Sequence, residues 1–135
     1  MRSGVLVRLE ETDDWKVRAA TTLRLKDQEA LARIAEHDEV WQVQKIAVSR
    51  LSNQSVLSRI LKRSVWWQVR KAAVDRLRDQ AALVRIAKRD IDWQVRKAAA
   101  NRLKDQEVLA WIAEYDPQGE VRSLVVGRLR SHRQE

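Results

Sequence analysis

Arginine and aspartate recur at matched positions along this chain, and a guanidinium and a carboxylate can form a bidentate ion pair. One column of equivalent positions holds Arg18, Gln44, Arg70, Arg96 and Arg122, and the other holds Thr12, Asp38, Ser64, Asp90 and Asp116. Each column loses its charge once in the interior, at Gln44 and at Ser64, which lie 20 positions apart. This shared loss predicts structural pairs between repeats: Arg18–Asp38, Arg70–Asp90 and Arg96–Asp116, with Gln44 and Ser64 as a neutral substitute.

A second group of charged residues could bind anions. The chain carries a formal charge of +8, and residues 41–92 hold 12 basic residues against 4 acidic ones. Six side chains expected on outer helix faces predict one basic patch: Arg59, Lys62, Arg63, Arg85, Lys88 and Arg89. Two interpretations stay open. The patch is either a solvated face or a surface for nucleic acid, an acidic protein or anionic lipid headgroups.

Two smaller sets are further candidates for contact with a partner. Lys45, Lys71 and Lys97 recur at equal spacing, which predicts a ladder of positive charges roughly 10 Å apart for an acidic or amide-rich partner. Trp111 is followed one helical turn later by Tyr115, and an exposed Trp beside a Tyr is typical of protein–protein contacts. The alternatives are a solvated face for the lysines and burial by a neighbouring loop for the aromatic pair.

The residues offer little for catalysis or for holding a cofactor. Cysteine is absent, His37 and His132 lie far apart, and no phosphate-binding loop, zinc-protease or serine-hydrolase motif occurs. The acidic residues fall in repeating columns, which favours packing and solvation. We therefore expect a protein that is not an enzyme, with no catalytic, metal or cofactor site.

The element that must position all these residues is a repeat of 26 residues. Trp15, Trp41, Trp67 and Trp93 mark it, and each is expected to wedge between adjacent repeats; Trp66 and Trp111 break the pattern. A fixed period of this length is typical of stacked repeat proteins. Cutting before the recurrent Asp-Gln gives one domain of five repeats and a tail, at 1–26, 27–52, 53–78, 79–104, 105–130 and 131–135.

Each repeat predicts two short helices. In the fourth, Asp79 is a candidate N-cap for a helix of about 9 residues, here called the DQ helix, with Leu83, Ile86 and Ala87 on one face. The equivalent N-cap positions hold Asp27, Asn53 and Asp105. The second helix, of about 11 residues, is here called the VR helix and places Val95, Ala98, Ala99 and Leu103 on one face. Helices this short need stacked neighbours.

The segment LVRIAKRDIDWQVRKAAANRL, residues 83–103, resembles the HEAT-like repeats, including the short bacterial forms and leucine-rich-repeat variants. The resemblance covers nearly the whole chain and implies an all-α fold, an α-solenoid with a right-handed superhelix. It implies that the VR helices line the concave side, which puts the lysine ladder there and the basic patch on the convex side or edge. Iron–sulfur members carry a cysteine cluster that this chain lacks. A lyase-like role, as in HEAT-like pigment lyases, is an alternative by fold analogy alone.

The remaining expectations concern the location of the protein, its self-association and its function. The first 15 residues are too charged for a secretory signal, and no stretch approaches the roughly 20 apolar residues of a membrane span, so we expect a soluble cytoplasmic protein. The last VR helix carries apolar residues that the missing next repeat would leave exposed: Leu124, Val125, Val126 and Leu129. We therefore expect self-association through the first or fifth repeat.

The leading functional hypothesis is a non-catalytic scaffold that binds a protein partner. The alternative is a basic nucleic-acid-binding solenoid.

Overall fold

The structure is a computed structural model that describes residues 14–134. This part of the chain is helical, with no strand: α1 (Trp15–Thr22), α2 (Gln28–His37), α3 (Trp41–Ser49), α4 (Gln54–Arg63), α5 (Trp67–Arg76), α6 (Gln80–Arg89), α7 (Trp93–Ala100), α8 (Gln106–Tyr115) and α9 (Gly119–Gln134). The DQ helices α2, α4, α6 and α8 each have 10 residues. The VR helices α1, α3, α5 and α7 have 8 to 10 residues and are thus slightly shorter than predicted.

The helices pack as pairs, which confirms the all-α helical-repeat fold. The chain divides into two compact units at the junction of Arg76 and Leu77. In the first unit α2 packs on α3, α4 packs on α5, and α3 contacts both α1 and α5. In the second unit α6 packs on α7, α8 packs on α9, and α7 contacts α9. The handedness of the superhelix stays a prediction of the resemblance.

The DQ helices begin where the sequence predicts, because a short polar side chain caps each of them. The carboxylates of Asp27, Asp79 and Asp105 accept backbone N–H groups of the first turn. Asn53 does the same with its side-chain oxygen, at 3.0 and 3.2 Å from the nitrogens of Ser55 and Val56. These bonds satisfy donors that have no partner within the helix.

The core of each unit is built from recurrent apolar positions. Val43 and Val69 are fully buried in the first unit, and Val95 and Val121 are fully buried in the second. One detail of the predicted face is wrong, since Ala98 is only half-buried while Ala100 is fully buried beside Ala99. The buried face of α7 is thus rotated toward Ala99 and Ala100, and Ala98 lies at its edge.

Two of the predicted ion pairs are confirmed. The Arg18 guanidinium donates to both carboxylate oxygens of Asp38, at 2.8 and 3.2 Å. Arg96 binds Asp116 in the same way, at 2.9 and 3.2 Å. All four side chains are nearly buried, so each pair ties one repeat to the next with little access to water. The pair Arg70–Asp90 would join the two units and stays a prediction.

The arginine column also has a role within its own repeat that the sequence did not reveal. Arg70, Arg96 and Arg122 each donate from Nη1 to the backbone carbonyl six residues earlier, those of Ser64, Asp90 and Asp116. Gln44 keeps this bond with its amide, which donates to the Asp38 carbonyl at 2.7 Å. Ser64 accepts the N–H of Trp66 at 3.2 Å, as Asp38 accepts that of Val40. Gln44 and Ser64 thus make the same local bonds that arginine and aspartate make in the other repeats. Within the described chain, however, they are not bonded to each other.

A second recurrent arginine fastens neighbouring repeats and was missed at the sequence level. Arg50 donates to the Leu25 carbonyl, Arg76 to the Leu51 carbonyl and Arg102 to the Leu77 carbonyl, each 25 positions back. In return the side-chain amides of three repeat-starting glutamines, Gln28, Gln54 and Gln80, donate to the backbone carbonyls of these same three arginines. One carbonyl at the end of each of the helices α3, α5 and α7 thereby gains a hydrogen bond from the neighbouring repeat.

The repeat-marking tryptophans begin the VR helices but are not fully buried. Trp41, Trp67 and Trp93 are half-buried, and Trp15 is 36% exposed. Their positions fit a helix-start role, and their predicted wedging between repeats is only partial.

The last helix corrects the prediction for the end of the chain. Residues 131–134 are no separate tail, since α9 runs to Gln134. Val125 is buried, and Leu124, Val126 and Leu129 are half-buried, so none of the four is left bare. Among the described helices, none is both long and apolar enough to cross a bilayer.

Candidate interaction surfaces

An exposed aromatic cluster lies on α8 in the second unit. The rings of Trp111 and Tyr115 lie 5.4 Å apart between centroids, inclined at 46°. Trp111 is 42% exposed and Tyr115 is 59% exposed, so the predicted exposure of this pair is confirmed. Lys88 of α6 places its Nζ 4.7 Å from the Trp111 ring centroid. We call these three residues the α8 cluster.

Trp111 has a neighbour on two of its sides and stays exposed. A cation over the face of a tryptophan is attracted by the quadrupole of the ring, and an inclined aromatic neighbour adds a further favourable contact. Trp111 is therefore held on two sides, by Lys88 and by Tyr115. A ring that is already ordered loses less side-chain entropy when a partner covers it.

In the first unit Arg59 does not stand free as the basic-patch prediction requires. It donates from Nε and Nη2 to the two carboxylate oxygens of Glu36, at 3.0 and 2.9 Å. The hydrogen bonds from Arg59 hold the pKa of Glu36 below its ordinary value, and nearby His37 and Arg63 act in the same direction. The charge of Arg59 is thus compensated by a neighbouring helix, because a glutamate of α2 lies within reach of its guanidinium.

The remaining basic candidates divide between the two units. Lys62 and Arg63 are exposed at the last turn of α4, and Arg85 and Arg89 are exposed on α6. Lys88 faces the Trp111 ring. Of the six residues predicted as a patch, two are therefore engaged with other side chains.

The predicted lysine ladder is also divided between the units. Lys45 and Lys71 are exposed in the first unit, and Lys97 is half-buried in the second.

A cleft of about 240 Å³ opens in the first unit where the repeat loses its ion pair. Gln44 and Ser64, the two uncharged substitutes, both line it. Around them the cleft is lined by Glu36, His37, Arg59, Ile60, Arg63 and Trp66, together with Ala35 and Val65. We call this the 44/64 cleft.

The 44/64 cleft brings together three residues that depart from the repeat at separate positions in the sequence. Gln44 and Ser64 stood out as a lost charge pair and Trp66 as a tryptophan outside the period, but none of the three was placed in a site. The signal that could have united them is their shared departure from the repeat. The other residues in the Gln44 column are arginines, those in the Ser64 column are three aspartates and Thr12, and no other residue in the Trp66 column is a tryptophan.

Within residues 14–134 no group of three or more His, Cys, Asp or Glu side chains could hold a metal ion. A second cavity, near α9, is lined by polar residues such as Gln106, Ser123 and His132 and by Leu124.

Comparison of the chain with protein-family models, with curated proteins and with solved structures gives no match in any of the three. Any proposal for its function therefore rests on the repeat pattern and on the geometry of the two units.

Proposed function

We propose that this chain is a non-catalytic helical-repeat module, of the HEAT-like kind, that binds a protein partner through the α8 cluster. The observation that carries the proposal is the exposure of Trp111 and Tyr115 in ring contact, with Lys88 over the Trp111 face. A large aromatic side chain that is ordered but still accessible is typical of residues that dominate binding energy at protein interfaces.

The departure from the repeat supports the same proposal. The positions equivalent to Trp111 hold Arg33, Arg59 and Arg85, so packing within a repeat does not require an aromatic residue there. Tyr115 likewise stands where His37, Arg63 and Arg89 stand in the other repeats. Two aromatic departures side by side on one helix favour a surface selected for contact with a partner.

Selection of peptides displayed on phage tests this proposal with a defined ligand pool. Peptides selected on the wild-type protein are compared on a variant with Trp111→Arg and Tyr115→Arg, which restores the residue type of the other repeats. We expect binding at least about tenfold weaker, since hot-spot truncations cost about 2 kcal/mol or more. Equal binding by both proteins would contradict the proposal. Ser55→Ala, a change at an exposed position of α4, is the control for substitution itself.

Nucleic-acid binding is the second candidate, favoured by the exposure of Lys62, Arg63, Arg85 and Arg89. Because Arg59 and Lys88 are engaged, four phosphate contacts are expected rather than six, and the log–log salt slope becomes about −3.6 instead of about −5. Fluorescence anisotropy with short duplex and single-stranded probes at several salt concentrations measures it. Absence of binding at low salt would remove this candidate and leave the protein-binding proposal untouched.

Cytoplasmic location and self-association through the chain ends stay predictions of the sequence. Mass photometry or sedimentation at rising protein concentration tests the second of these. A monomer at all concentrations would contradict it.

A further inference from the structure

We propose that the 44/64 cleft binds the carboxylate side chain of an acidic residue in a peptide partner. This site lies in the first unit and the α8 cluster belongs to the second, and the proposal does not depend on that cluster.

The cleft lies where each of two columns of the repeat holds a shorter, uncharged side chain, Gln44 in place of arginine and Ser64 in place of aspartate. In the pairs Arg18–Asp38 and Arg96–Asp116, the guanidinium and the carboxylate fill the space between successive repeats with an ion pair. At the equivalent place Gln44 and Ser64 retain only the local backbone bonds. The two coupled losses coincide with a cleft whose lining combines polar groups with the apolar side chains of Ile60, Val65 and Trp66.

The charge of the lining favours an anion. The charges of Glu36 and Arg59 cancel in their two-bonded pair. Arg63 is exposed and lines the cleft, and it lies near enough to Glu36 to help lower the pKa of that carboxyl. The cleft therefore holds two arginines against one glutamate, and an incoming carboxylate can meet Arg63 without displacing Glu36 from Arg59.

Neutral donors complement this charge. Ser64 accepts the Trp66 N–H through Oγ, which leaves its hydroxyl hydrogen able to donate. Gln44 uses one amide hydrogen on the Asp38 carbonyl, and its amide group has a second. A carboxylate accepts several hydrogen bonds at once, so these donors and Arg63 are chemically matched to it.

The size and the rim indicate a peptide side chain as the occupant. A volume of about 240 Å³ falls below the roughly 300–1,000 Å³ of sites for drug-sized ligands. Ile60 lies in the lining, and Trp66, 41% exposed, lies at its edge together with the highly exposed Val65. These apolar groups can cover the aliphatic stem and backbone of a glutamate or aspartate while the carboxylate reaches Arg63.

Nuclear magnetic resonance of the full chain tests this site, with the Trp66 indole N–H as the reporter. The probe is N-acetyl-glutamate N-methylamide, and its matched neutral control is N-acetyl-glutamine N-methylamide. We expect the acidic probe to shift the Trp66 signal with a Kd of about 1 mM, and the neutral probe to leave it in place. Equal shifts with both probes would overturn the carboxylate assignment.

Two variants separate the cleft from the general positive charge. Arg63→Gln should weaken the probe about tenfold, whereas Arg89→Gln, 26 positions later in the other unit, should leave its affinity unchanged. The combined variant Gln44→Arg and Ser64→Asp restores the repeat's usual pair and should abolish the Trp66 shift while the helical circular dichroism is kept. Retained binding by this variant would overturn the site.

The outcome is independent of the proposed function. The variant Trp111→Arg with Tyr115→Arg should bind the acidic probe as the wild type does, because its changes lie on α8. Loss of the probe in that variant would place binding at the α8 cluster and overturn the 44/64 site.

Discussion

Lys88 and Trp111 meet 23 positions apart, and Glu36 and Arg59 meet at the same separation. Each contact joins the DQ helices of two consecutive repeats. In one unit the contact is an ion pair with 2.9 and 3.0 Å bonds, and in the other it is a cation over a ring at 4.7 Å. A single register of the repeat thus accommodates two kinds of interaction, and the side chains at these positions vary without changing the helix packing.

Replacement of Lys88 tests the energetic role of this register. Lys88→Gln should lower the free energy of unfolding by about 0.5–1 kcal/mol, because the Trp111 ring loses its cation. Lys62→Gln, the same change 26 positions earlier at an exposed site, should have a smaller effect. Urea unfolding followed by circular dichroism measures both. Equal effects would show that the Lys88–Trp111 contact contributes nothing to stability.

The buried pair Arg96–Asp116 should respond strongly to loss of one charge. Asp116→Asn keeps the shape of the side chain but leaves the Arg96 guanidinium without a counter-charge, and we expect a loss of about 3–5 kcal/mol. The same substitution at the N-cap Asp105 should be nearly neutral, since Asn53 caps the equivalent helix. Chemical denaturation compares the two. A neutral Asp116→Asn would refute the structural role of the pair.

The helices and their caps could be predicted from the sequence because the period is uninterrupted. Each repeat supplies another copy of the same local signals, so Asp27, Asn53, Asp79 and Asp105 define the starts of four helices. The register of Arg18–Asp38 was likewise predictable, since the absence of both charges at Gln44 and Ser64 indicated which positions face each other. Repetition converts a single sequence into several examples of one structure.

Contacts that use the backbone were not predictable in this way. The carbonyls that bind Arg50 and Arg76 belong to Leu25 and Leu51, and nothing in a leucine side chain marks its carbonyl as open. The pairing of Glu36 with Arg59 was not predictable from the charge columns, because a column gives the sign of a charge but not how far its side chain reaches across helices. The 44/64 cleft escaped because a cavity arises from side chains that are missing.

Restoring the lost pair should show coupling between the two positions. Gln44→Arg alone places a charge in a nearly buried position, and Ser64→Asp alone adds a carboxylate without its guanidinium, so each should destabilise the first unit. Together they should recover at least about 1 kcal/mol relative to the sum of the single effects. A double-mutant cycle by urea unfolding gives this coupling. Strict additivity would mean that positions 44 and 64 do not face each other.

The amide of Gln80 should contribute measurably to the connection between repeats. It donates to the Arg102 carbonyl at 3.0 Å and accepts the Lys104 N–H at 3.2 Å. Gln80→Ala removes both bonds and should cost about 1–2 kcal/mol. Hydrogen exchange at the Lys104 amide should accelerate in this variant. Gln118→Ala, a polar-to-alanine change just before α9, is the control that should leave the Lys104 amide protected.

Lowering the pH should reduce the free energy of unfolding of the first unit, because the Glu36 carboxylate becomes protonated. Because its pKa is lowered in the folded chain by the hydrogen bonds from Arg59, the folded state binds this proton less readily than the unfolded state. The contribution is therefore fully present above the ordinary glutamate pKa and is lost as the pH falls through the lowered pKa of the folded protein. Glu36→Gln should unfold more easily than wild type near neutral pH, and the difference should shrink as the solution is acidified through this range. Urea unfolding over this range, with carbon NMR of the Glu36 carboxyl, measures both quantities. A difference that stays constant with pH would show that the Arg59 bonds do not stabilise the ionised carboxylate.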